Sequence, residues 1–206
     1  MATEVLRSGH LARSLRLAPF AAGAVAVVLY LAARLDGGPD VIGDLRVLGL
    51  LLALSSGYVL DDDAAVTLQA SPYCLARRLG LRLAGAVAVV APLWTAVLAY
   101  LLPSAPAGER WALGLGLTTE LVAALALVWA VAAGARRHGF EHPGIITTPA
   151  LLASLFVAAS IGRAPMLVGP GPEWTPAHLR WSIVLAGATC VLLAAMRDPA
   201  ARRSDW

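Results

Sequence analysis

Residues 17–33 read LAPFAAGAVAVVLYLAA, an apolar run without a single charge. A helix needs about 20 apolar residues to cross the hydrocarbon core of a bilayer, and this run with its flanks meets that length. Five more runs of the same kind follow. The spacing predicts spans over 17–35, 45–60, 83–102, 111–134, 143–162 and 179–196, the second and sixth being short. Asp44, Arg46 and Arg180 then fall near one interface, where flanking charges reach the headgroups. A hydrophobic fraction of 59%, a charged fraction of 14% and a mean hydropathy of +0.73 leave no room for a sizeable soluble domain. The expectation is one all-α integral membrane domain over 1–206 with six transmembrane helices.

Orientation follows from the basic residues, because cytoplasmic loops retain positive charge. The chain has no lysine, and its 16 basic residues are all arginine. With the N-terminus inside, the inner segments hold Arg7, Arg13, Arg16, Arg77, Arg78, Arg82, Arg136, Arg137, Arg197, Arg202 and Arg203. The outer ones hold Arg34, Arg46, Arg110, Arg163 and Arg180, so the bias is 11 against 5. Both termini are therefore expected in the cytoplasm of a multi-pass plasma-membrane protein. The formal charge of +3 and pI near 9.3 are topology signals and call for no nucleic-acid partner. The first run is too long for the apolar centre of a cleaved signal peptide. Cys74 and Cys190 are not placed to bridge, and neither points to redox chemistry.

Between the spans the segments differ in character. At helical spacing Val5, Ser8, Leu11, Ala12 and Leu15 share one side of residues 1–16, and Arg7, His10, Arg13 and Arg16 the other. That pattern predicts an interfacial amphipathic helix on the inner membrane surface, beside the bland reading of a basic tail that sets topology. The outer loop 163–178, RAPMLVGPGPEWTPAH, is rich in proline and carries Trp174, as an interfacial linker would. The inner loop 61–82 reads DDDAAVTLQASPYCLARRLGLR. Asp61, Asp62 and Asp63 stand where a short helix would begin, which suits the positive end of its dipole, and Pro72 interrupts the run.

Several patterns suggest chemistry and fail on spacing. The three aspartates resemble the magnesium-binding carboxylates of prenyl transferases, but a DDxxD spacing would need Asp where Ala65 or Val66 stands. His138, Glu141 and His142 form HGFEH, a formal match to a zinc-protease pattern. Gly139 inside it and Pro143 after it deny the two histidines one helical face. No catalytic, cofactor-binding or metal-ligating set is expected. A phosphate loop of the Walker type requires lysine, so ATP hydrolysis by that route is excluded. Glu120 is the only acid deep within a span. Such a carboxylate faces the bundle interior, a cavity or a partner, which makes it the candidate for a substrate path or gate. Gly116 and Ala124, four residues to either side, would admit a close helix neighbour.

The stretch 61–82, with acids, then Leu68, then Ser71-Pro72, then arginines leading into a span, resembles the inner loop of ABC-2 type permeases, the membrane subunits of many ABC exporters. The wider pattern is similar too: an amphipathic start, six spans, both ends inside, and the longest outer loop between the last two. The resemblance implies a subunit that forms the substrate path, pairs with a second permease copy or paralogue, and is driven by a separate ATP-binding subunit. It implies that Asp61, Asp62, Asp63, Ala65, Val66 and Leu68 dock that ATPase. The triple aspartate departs from the mixed acidic and glycine turn of many relatives. The reading from another class is a non-transport polytopic protein, either an assembly or scaffold subunit or a membrane-embedded enzyme.

Overall fold

The computed structural model describes residues 17–33, 40–61, 75–140, 142–160 and 166–197, and every regular element among them is helical. They are α1 (Leu17–Ala33), α2 (Val41–Ser56) with a 3-10 turn over Gly57–Leu60, α3 (Leu75–Leu101), α4 (Arg110–Arg137), α5 (Pro143–Ser160) and α6 (Trp174–Met196). Among the described residues four stretches are long and apolar enough to cross a membrane: Val41–Leu60, Leu79–Ser104, Arg110–Arg137 and Trp174–Met196. Ala21–Ala33 and Pro143–Ala153 are shorter apolar helices. The protein is an all-helical membrane protein. The expected interfacial helix over 1–16 lies outside the described residues, as do residues 62–74.

Four helices, α2, α3, α4 and α6, begin before the residues at which the sequence pattern starts their spans, and for α2 the reason is local. Asp40 accepts a hydrogen bond from Gly43 N (3.2 Å) and starts α2 at Val41, a full turn before residue 45. Asp44 and Arg46 thereby lie in the first two turns of the helix. Asp44 is 2% exposed and accepts from the Tyr30 hydroxyl at 2.8 Å. Arg82 lies inside α3, 7% exposed. At the other end of α4, Arg136 and Arg137 occupy the last turn, where cations complement the dipole, and Gly139 at φ +92 carries the chain out of the helix.

Side-chain partners fix the direction of every helix. Arg46 meets Glu120, the Trp129 indole donates to Ser56 Oγ (3.0 Å), and Arg136 donates to Leu60 O (2.8 Å), so α2 and α4 run parallel. Gly116 lies under Trp174 and Arg137 donates to Ala194 O, so α6 runs the same way. Tyr30 opposite Asp44 and Gly23 opposite Ser55 set α1 antiparallel to α2. The Trp94 indole on Thr118 Oγ1 (3.0 Å) and Gly114 near Leu102 set α3 antiparallel to α4. Gly144 against Tyr58 and Thr148 near Leu54 O do so for α5 and α2. Alternate helices thus point in opposite directions. Leu17 and Arg197, the first and last described residues, lie at the end that also holds Asp61 and His138.

The α4 helix is the hub, packing most extensively on α6 and then on α2. Leu45, Leu48 and Leu52 of α2 and Leu117 and Leu121 of α4 form the sealed centre. Outward, α1 exposes Val25, Val28 and Leu29, and α6 exposes Leu179, Ile183, Val191 and Leu193. Apolar side chains turned outward on this scale match hydrocarbon as solvent, while polar side chains inside bond to other side chains, as Arg46 does to Glu120, or to backbone, as Arg82 does to Asp61 O.

Candidate functional site

The Glu120 side chain is 7% exposed, about 15 Å along α4 from Arg110 at 1.5 Å per residue. Its partner is Arg46. Arg46 Nε donates to Glu120 Oε2 at 2.8 Å and Nη2 donates to Oε1 at 2.7 Å, a two-point fork of guanidinium on carboxylate. The same Nη2 donates to Val168 O at 2.8 Å, which pins the segment before α6 onto the pair. His178 Nε2 stands 3.3 Å from Glu120 Oε1, while Nδ1 donates to Trp174 O at 2.8 Å. The Trp174 and His178 rings lie 4.1 Å apart at 42°.

Gly116 makes this approach geometrically feasible. A Cβ there would stand 2.5 Å from Trp174 Cζ2 and 2.6 Å from His178 Nε2, so only glycine lets both rings lie on α4 at this level. The Trp181 indole donates to Met166 O (3.0 Å), which ties α6 to the segment before it.

Next to the ion pair opens a cavity of about 360 Å³ between α2, α4 and α5. Its walls are almost wholly apolar: Leu50 and Leu54 from α2, Leu121, Ala124 and Val128 from α4, and Leu151 and Leu152 from α5. Leu167 and Trp181 close the end where Arg46 and Glu120 supply its charged groups. An apolar chamber with a few convergent polar groups at one end has the form of a small-molecule site. A second apolar cavity of about 510 Å³ lies between α3, α4 and α6, with Thr95, Thr118 and Thr189 as its polar contributors.

Protein-family models, curated proteins and solved structures offer no match to this chain.

Of the residues marked by sequence, Glu120 lines the cavity and Ala124 forms its wall. Asp61 is 1% exposed, and its Oδ1 accepts from Gly144 N at 2.7 Å, so it caps α5. Asp62, Asp63, Ala65, Val66 and Leu68 lie outside the described residues. His138 sits exposed just after α4, Glu141 is outside the described residues, and no three His, Cys, Asp or Glu side chains converge among the described residues.

Sequence reasoning missed Arg46, Trp174 and His178 as site residues. The signal for Arg46 was present: a lone acid within one apolar span asks for a lone base at matching depth in another. Trp174 and His178 carried no comparable signal, since both were read as part of a proline-rich loop.

Proposed function

We propose that this chain is the transmembrane subunit of an ABC-type exporter, built from six spans and driven by a separate ATPase subunit. The observation that carries the reading is the apolar cavity between α2, α4 and α5 with the Arg46–Glu120 pair at one end. Under alternating access that pair and its bond to Val168 O form the closed outer gate, and the cavity is the chamber behind it. The six-span count is supported by the alternating helix directions and by the shorter apolar helices α1 and α5. Arg82, Arg136 and Arg137 gather at the end that holds Asp61, which the positive-inside rule makes cytoplasmic, with both termini on that side of the plasma membrane. On this reading residues 61–70 face the cytoplasm and dock the ATPase, and a second copy or paralogue of the chain completes the complex.

Reporter fusions at Trp206 and within 168–173 are expected to give opposite compartments, cytoplasmic and external respectively. A common compartment for both overturns the six-span assignment.

Docking is tested by purifying the chain in mild detergent from its own membranes and identifying any ATP-binding protein that travels with it. Replacing Val66 and Leu68 together by aspartate places unpaired charge in an apolar contact. Each such charge costs several kcal/mol, and every ~1.4 kcal/mol is tenfold in affinity, so recovery of the ATPase should fall by orders of magnitude. Equal recovery at matched membrane abundance removes 61–70 from the interface. Purification of wild-type chain with no ATP-binding protein favours the non-transport reading.

A further inference from the structure

We propose that the cavity beside Arg46 binds a single-chain anionic amphiphile, with its carboxylate or phosphate head on the Arg46 guanidinium and its alkyl chain along α2 and α4; this rests on the transporter reading above, whose chamber it fills. The donor count decides the head. A guanidinium has five N–H donors. Nε and one N–H of Nη2 go to Glu120, and the other N–H of Nη2 goes to Val168 O, so the two on Nη1 have no partner among the described residues. Glu120 has less capacity to spare. The fork takes both its oxygens, and Oε1 also faces His178 Nε2 at 3.3 Å. Arg46 is the more open of the two, its side chain 19% exposed against 7% for Glu120. The charged end of the cavity therefore offers donors and asks for an acceptor, and an anionic acceptor makes the stronger bond to a guanidinium. A cationic head would be repelled there.

The shape decides the tail. From the level of Arg46 and Glu120 the lining extends to Leu54 on α2 and Val128 on α4, about 12 Å along each helix at 1.5 Å per residue. An extended alkyl chain advances ~1.25 Å per methylene, the projection of a ~1.52 Å bond at an angle near ~111°, so about ten carbons cover that depth. The volume of about 360 Å³ admits one such chain, being more than twice the ~150 Å³ in which a benzene ring is held. Val47 on α2 and Leu152 on α5 belong to the lining and are 39% and 47% exposed, so the cavity opens sideways between these helices, at a depth where their surroundings are hydrocarbon. The ligand enters from the bilayer. An alkyl chain moving from lipid into an apolar cavity gains little, because lipid tails are as apolar as leucine. Selection among amphiphiles therefore rests on the head and on Nη1.

The experiment uses the full chain in nanodiscs of phosphatidylcholine, with no ATPase present. The probe is decanoic acid carrying a diazirine at its chain end. After photolysis the cross-linked residues are read by peptide mass spectrometry, and decanoate, decanol and decylamine are compared as competitors. Cross-links are expected at the deep end of the cavity, around Leu54 and Val128. Decanoate should compete about tenfold or more better than decanol, the worth of a hydrogen bond between charged groups, and decylamine should compete least. Arg46→Gln should remove the preference for decanoate over decanol. Glu120→Gln keeps an acceptor for the fork and lifts a like charge from beside the head, so it should strengthen decanoate binding several-fold. A pair that only shapes the cavity would move both variants the same way, and that result overturns the proposal. If Arg46→Gln fails to accumulate because Glu120 is left unpaired, the double variant Arg46→Gln with Glu120→Gln strands no charge and replaces it, with the same loss of preference expected. Equal competition by decanoate and decanol in the wild-type chain overturns the anionic head. Cross-links confined to outward helix faces, or to the cavity between α3, α4 and α6, overturn the site. Binding needs no ATPase, so the two readings fail separately. Cavity cross-links in a chain with which no ATP-binding protein co-purifies keep the site and overturn the exporter, and an ATPase complex without cavity cross-links does the reverse.

Discussion

Glu120→Leu is expected to destabilise the protein by about 3–5 kcal/mol, the cost of leaving a buried charge without its partner. Arg46 remains, with a side chain only 19% exposed, and its fork has lost both oxygens. Arg46→Met should cost a similar amount, because the carboxylate is left facing apolar walls, with His178 Nε2 at 3.3 Å as its remaining close neighbour. The double variant should recover most of the loss, since replacing both members of a buried pair by apolar groups of similar volume is often close to neutral. The coupling between the two sites, read from a double-mutant cycle of unfolding in detergent, should then be of the order of the single losses. Additive losses in the cycle would mean that the two groups do not pair. Arg46→Lys separates fork from charge: a lysine supplies the cation and loses the two-point geometry, so partial loss is the expected result.

The same pair governs function differently under the transporter reading. If Arg46–Glu120 is the closed gate, the double apolar variant folds but lacks the tie to Val168 O, and the segment 166–173 loses its anchor on α2. Stability and activity are then expected to separate: near-normal unfolding, with altered transport. A purely architectural pair would move both together.

How much of this was legible in the sequence depends on what kind of signal each feature leaves. Long apolar runs are explicit in composition, so the helical membrane fold follows from residues such as 17–33 and 111–134 without further help. The starts of α2, α3 and α6 lie before the spans drawn from composition, because polar and charged residues there are part of the helices. Asp44 and Arg46 lie within a turn and a half of the start of α2, and each has a partner on another helix, Asp44 a hydrogen bond from Tyr30 and Arg46 an ion pair with Glu120. Such pairing is a relation between spans, and a periodicity read along one span does not contain it. Glu120 was marked correctly as an inward-facing acid for the same physical reason that its partner was missed. Its cost in lipid is evident from one residue, whereas its compensation needs two. Asp61 shows the opposite case. Its neighbours Asp62 and Asp63 suggested a local cap, and the helix it caps begins 82 residues later in the chain, at Pro143.

Gly144→Ala is the second large effect, and its sign runs against propensity. Within helices alanine is favoured over glycine, by about 1 kcal/mol in the interior and less in the first turn where Gly144 stands, so the substitution would ordinarily be neutral or stabilising. At this position the added Cβ would stand 2.8 Å from Tyr58 Cα and 3.0 Å from both Gly57 O and Tyr58 N. All three are backbone atoms of a turn held by Arg82 and Arg136, so the strain falls on α5, which must lift away. Lifting stretches the 2.7 Å bond from Gly144 N to Asp61 and leaves a buried carboxylate oxygen short of its donor. Overpacking costs about 1–3 kcal/mol and an unmet buried hydrogen bond about 1–3 more, so the net loss should reach several kcal/mol. Gly134 of α4 and Gly187 of α6 provide the control. Neither would meet any heavy atom within 4 Å, so alanine there should stabilise by about 0.4–1 kcal/mol through the unfolded chain. Thermal unfolding of the three variants in one detergent therefore gives opposite signs for the same chemical change. A Gly144→Ala protein at least as stable as wild type would show that α5 does not rest on the 57–60 turn.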